Sequence, residues 1–262
     1  MNDHIPDIVF AVIGISVPLT ILVRTFRNGL FRAYPRFSLL ISLFLLGSAS
    51  SPFMGNASHP VLYFRFYWTM ELIQFLVEAA VLFDILSTDQ FACAHISPII
   101  KRLRWTIGGA ICLCSIVGFR SIFILPLAWT MLASFRDIAG VAALLLLFVL
   151  FLSAYFGIRF GSNMTGLICG LGFNSAGCLI AWSLMFRFHI NTYTTLGFMV
   201  PCVDGGALII WLISMWNIHP DPVPDLEAIH AALREPLPKR FHRLGLSVLA
   251  YLSDLFRTPH NA

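Results

Sequence analysis

Glu71, Gln74 and Glu78 stand three and four residues apart inside an otherwise apolar stretch. In a helix that spacing stacks all three on one face, with Phe75 beside them. Asp84 follows six residues after Glu78, about 120° round the helix, near the far end of the same stretch. A carboxylate at the centre of a bilayer costs about 3 kcal/mol on insertion scales. Two on one stripe therefore face a bundle interior or a water-filled cavity rather than lipid. The chemistry open to them is to take up or relay a proton, to hold a small cation or a cationic ligand, or to hydrogen-bond neighbouring helices together.

The surrounding sequence explains why lipid enters the argument. Of 262 residues, 58% are hydrophobic and 11% are charged, against about 25% charged in a soluble domain. The apolar runs approach 20 residues and lack strict alternation, which selects helices over barrel strands. Seven spans are expected, at about 8–23, 37–53, 62–86, 105–125, 138–158, 164–186 and 196–216. The fold expected is all-α: a seven-transmembrane-helix bundle over residues 1–217, followed by a cytoplasmic tail over 218–262. In the tail, Asp225 can cap a short helix. Residues 239–257 carry Phe241, Leu244, Val248, Tyr251, Leu252 and Leu255 at helical spacing after a basic start. That pattern predicts an amphipathic helix lying on the membrane surface or meeting a partner protein.

Charge asymmetry orients the bundle. The segments after the first, third and fifth spans and the tail hold four, three, one and five Lys or Arg; the opposite side holds Arg65, Arg120, Arg136 and Arg187. Thirteen against four places the N-terminus outside and the C-terminus in the cytoplasm. With that orientation Glu71 falls in the outer half. Arg120, near the outer end of the fourth span, and Asp204, about 12 Å into the seventh at 1.5 Å per residue, reach a similar depth. Asn174, mid-way along the sixth span, can meet Glu78. The candidate pocket for a ligand, proton or cation is therefore Glu71, Gln74, Glu78, Arg120, Asn174 and Asp204. Its three carboxyls exceed its one guanidinium, so a proton or a cation must make up the balance. Asp84 is expected to cap a helix or pair with Arg102 or Arg104 at the cytoplasmic interface.

Several function classes are excluded. No HExxH, GxSxG or phosphate-loop motif occurs, so no enzyme chemistry and no cofactor are expected. Both lysines, Lys101 and Lys239, lie outside the spans, which rules out a retinal Schiff base despite the seven-span count. No histidine pair has the i, i+4 spacing of a helical metal site, and Cys112 and Cys114 point to different faces, so no metal is expected. None of the six cysteines falls in an outer loop, which argues against a disulfide framework. The basic residues follow the membrane pattern, so nucleic acid is not a partner. The segment before the first span lacks a basic n-region, so that span is expected to be retained. Gly166 and Gly170 form a GxxxG pair suited to close helix approach. Pro201 with Gly205 and Gly206 flanks Asp204 and allows either a kink or a broken helix. No internal repeat is evident, so the inverted halves of many carriers are not supported.

The stretch from Tyr63 through Tyr67, Trp68 and Glu71 to Glu78, Phe83 and Asp84 resembles the aromatic-then-acidic third helix of uncharacterised bacterial seven-helix integral membrane proteins. That resemblance implies a bacterial cytoplasmic membrane and carries no activity. The function expected is a sensor or signal-transducing module with an acidic pocket opening outward. The alternatives are a small proton- or cation-coupled transporter and a structural or assembly subunit of a larger membrane complex.

Overall fold

The computed structural model describes residues 5–55, 60–86, 160–188 and 199–216 continuously, with isolated positions between 101 and 149 and between 234 and 246. Among the described residues all regular structure is helical and no strand occurs. The helices are α1 (Ile5–Arg27), α2 (Leu30–Ala33), α3 (Pro35–Gly55), α4 (Pro60–Ile85), α5 (Ser162–Phe188) and α6 (Met199–Ser214). The long ones match the first, second, third, sixth and seventh apolar stretches. The fourth and fifth stretches and the tail fall mostly outside the described residues.

Two helical segments among the described residues, Arg65–Ile85 and Ser162–Met185, are long and apolar enough to cross a membrane. Two more, Pro35–Ser50 and Met199–Ser214, are apolar but shorter. Two helices of crossing length are fewer than the seven spans counted from hydropathy. Large apolar side chains, among them Leu19, Leu46, Ile180 and Ile209, are exposed on the helices' outer faces.

Between α1 and α3 the chain reverses tightly. Asn28 N–H donates to Arg24 O at 2.9 Å and Gly29 N–H to Phe26 O at 3.2 Å. Gly29 then adopts φ +69°, a left-handed conformation that glycine takes without steric cost. Pro35 opens α3, where a missing N–H removes no helical bond. α1 runs on through Pro18, and α6 continues unbroken through Pro201, Gly205 and Gly206. The broken-helix option for α6 is therefore not the one adopted.

The long helices close a ring. α1 packs on α3, α3 on α4, and α6 on both α5 and α1. Between α4 and α5 the circuit is completed by the rings of Trp68 and Trp182, 5.5 Å apart. The main core lies toward the end where α1, α4 and α6 finish and α3 and α5 begin. Ile21, Phe37, Ile41, Leu82, Leu167 and Trp211 all belong to it. Trp211 is wholly buried. It meets Phe37 and Phe44 edge-on at 5.6 and 5.9 Å, and its indole N–H donates to Leu167 O at 3.3 Å. Polar ties fasten the same end. Asn163 donates to Ser214 O at 2.7 Å, Asn28 to Trp216 O at 3.4 Å, and the Arg24 guanidinium lies 3.8 Å over the Trp216 ring. A smaller cluster of Trp68, Leu72, Ala181, Trp182, Met185 and Val200 packs the other half.

Candidate functional site

Glu71 is the twelfth of the 26 residues of α4, about 16 Å from the helix start at 1.5 Å per residue. Tyr67, one turn earlier, donates its hydroxyl to the Glu71 carboxylate. Glu78 lies two turns further along the same face. It accepts a hydrogen bond of 2.8 Å from the amide of Asn174 on α5. Asn174 is buried, with 6% of its surface exposed, so a bond between two helices replaces the water it has lost. Its carbonyl oxygen in turn accepts from the Cys178 thiol at 3.8 Å. One amide thus links a carboxylate on α4 to a thiol on its own helix.

Asp204, on α6, lies close enough to both Glu71 and Glu78 for their charges to act on it. Cys178 lies within the same field of all three carboxyls. Gln74 turns toward α3, where a Cβ added at Gly47 would meet its amide nitrogen at 3.6 Å. Glu71, Gln74, Glu78 and Asp204 are all half-buried. The polar centre therefore draws on α4, α5 and α6, with α3 alongside, and sits above the apolar core around Trp211.

Five of the six residues nominated from sequence belong to this region. Glu71, Glu78, Asn174 and Asp204 are brought together, Gln74 sits beside them toward α3, and Arg120 lies outside the described residues. Asp84 stands apart at the end of α4, where it forms an ion pair with Arg36 of α3. The same guanidinium also donates to Ala80 O at 3.3 Å. Arg36 had not been named as its partner; its arrival at that end follows from α3 starting where α4 finishes.

Sequence reasoning missed Tyr67 and Cys178 as members of the site. Both were signalled by spacing, since Tyr67 precedes Glu71 by four residues and Cys178 follows Asn174 by four, the interval that brings side chains together on a helix. Among the described residues no three His, Cys, Asp or Glu side chains converge as metal ligands do. The described cysteines, Cys112, Cys169, Cys178 and Cys202, are free thiols. What the cluster offers is carboxyl oxygens, an amide, a phenol and a thiol, a set suited to taking up a proton. Searched against protein families, curated proteins and solved structures, the chain finds no match in any of the three.

Proposed function

We propose that this chain is a multi-pass membrane protein of the bacterial cytoplasmic membrane and works there as a sensor. In this reading it has seven spans, with the N-terminus outside and the C-terminus in the cytoplasm. A proton or small cation arriving from the outer side enters the acidic centre formed by Glu71, Glu78 and Asp204. Its binding changes the packing of α4, α5 and α6, and residues 218–262 pass that change to a cytoplasmic or membrane partner. The observation that carries the reading is the contrast between the two halves of the ring. Three mutually interacting carboxyls lie at mid-depth, and below them the inner half is filled by apolar side chains around a fully buried Trp211. The other half holds the smaller cluster around Trp68 and Trp182, and entry from that more lightly packed side is part of the proposal.

Trp68 and Trp182 lie in the half above the site, on the helices that supply Glu71, Glu78 and Asn174, so indole fluorescence reports on their packing. In right-side-out proteoliposomes, changing external proton or sodium concentration is expected to shift that fluorescence. A variant carrying Glu71→Gln, Glu78→Gln and Asp204→Asn is expected to be silent. An equal response from the triple variant, or a response only to changes inside the vesicle, contradicts the proposal.

A carrier is the second reading. Gly170, Gly177 and Gly206 seat side chains of the facing helix at the α5–α6 contact, so these two helices would move as one packed unit against the rest. A carrier predicts accumulation of a labelled cation driven by a proton gradient, which a sensor does not produce.

A further inference from the structure

The four arginines around the α1–α3 corner are of two kinds. Arg24 covers Trp216 and Arg36 pairs with Asp84, so both are engaged within the chain. Arg27 and Arg32 are exposed, and no ion pair or hydrogen bond engages either guanidinium among the described residues. Their neighbours in sequence, Phe26 and Phe31, stack with ring centroids 4.6 Å apart and planes 17° from parallel. The Gly29 turn makes that stack possible by folding α2 back beside the end of α1. The stacked rings remain 61% and 41% exposed. Two exposed, stacked phenylalanines, each followed in sequence by an unengaged arginine, give this corner both apolar and cationic surface.

Two observations select the occupant. From Ile8 to Met70 the chain contains no acidic residue, so α1, α2 and α3 bring only positive side chains to the corner, and the carboxylate of Asp84 there is engaged by Arg36. Phe26 also ends a continuous exposed stripe on α1, made of Val12, Leu19 and Val23 at spacings of seven, four and three. In the proposed bilayer that stripe faces lipid, and it ends at Phe26, next to Arg27. A partner meeting both features has a hydrocarbon part continuous with the stripe and an anionic head at its end. We propose that the α1–α2 corner seats an anionic phospholipid of the cytoplasmic leaflet. Arg27 and Arg32 hold its phosphate, and the Phe26–Phe31 stack lies against its glycerol and upper acyl chains. The inference rests on the N-outside orientation proposed above.

The test is a titration of the purified full chain in uncharged detergent with fluorescent phosphatidylglycerol and, separately, fluorescent phosphatidylcholine. The wild type is expected to prefer phosphatidylglycerol and to lose that preference as salt is raised, a readout that needs no variant. R27Q/R32Q is expected to weaken phosphatidylglycerol binding about fivefold for each arginine removed. R65Q/R187Q, which removes the same charge from exposed positions at the opposite end, is expected to leave it unchanged. Equal binding of the two lipids, equal loss in the two double variants, or full displacement of the lipid by inorganic phosphate overturns the proposal. The titration is independent of topology, so its failure leaves the proposed orientation standing. A reversed orientation, read by thiol labelling, removes the leaflet assignment alone.

Discussion

At the scale of single residues, Asn174 holds the polar centre together, since its amide serves Glu78 and its carbonyl serves Cys178. Replacing it by Leu leaves two partly buried polar groups without a partner, which costs about 1–3 kcal/mol. Thermal unfolding in detergent is expected to show a lower midpoint for Asn174→Leu. It is expected to show little change for Glu78→Gln, which keeps an oxygen to accept the bond. Equal midpoints for Asn174→Leu and wild type would mean that the bond carries no stability. The Arg36–Asp84 pair, with side chains 49% and 39% exposed, belongs to a weaker class. Arg36→Gln is expected to cost no more than about 1 kcal/mol in the same assay. Much of this chemistry could be read in advance. Acidic residues in an apolar stretch stand out by type, and Asn174 and Asp204 could be matched to Glu78 and Glu71 by counting depth along the spans. Tyr67 was hidden because an aromatic residue near a span end reads equally well as an interfacial anchor. Cys178 was hidden because a cysteine in an apolar helix behaves as a small hydrophobe.

At the scale of helices, α5 and α6 touch where glycine makes room. A Cβ added at Gly170 would run into the Trp211 indole, whereas one added at Gly172 meets nothing within 4 Å. Gly170→Ala is therefore expected to destabilise by about 1–3 kcal/mol, the usual cost of overfilling a packed contact. Gly172→Ala is expected to stabilise slightly, by about 0.4–1 kcal/mol, through loss of unfolded-state freedom. Paired unfolding curves decide the matter, and the same sign for both would refute the assigned packing. GxxxG spacing pointed to Gly170 as a contact, but what fills the notch was not legible. Trp211 lies more than 40 residues away on a different helix, and its rotation about the α6 axis depends on tertiary packing rather than on local pattern. The helices themselves were far easier to place, because long apolar runs mark them whatever their neighbours are. Their ends extend past the apolar runs, as α1 does from Ile5 to Arg27, because a helix continues into the polar zone until a turn such as Asn28–Gly29 stops it.

At the scale of the whole molecule, the account depends on a difference between the two ends of the ring. At the end where α1, α4 and α6 finish, which the proposed orientation puts in the cytoplasm, the apolar core, the Trp211 seat, the Arg24–Trp216 contact and the Arg36–Asp84 pair all gather. The orientation proposed rests on the distribution of arginine and lysine alone. The unequal packing of the two halves was not legible in the sequence, because hydropathy is similar along each span and only the assembled ring shows where side chains interlock. Cys178 lies at the level of the acidic centre and provides a native probe of access. The most direct test uses a variant in which Cys178 is the sole cysteine, reconstituted in sealed vesicles of known orientation. A membrane-impermeant thiol reagent is expected to label it from the outer side and to fail from the cytoplasmic side. Labelling from the cytoplasmic side, or from neither side, would contradict an acidic centre that opens outward.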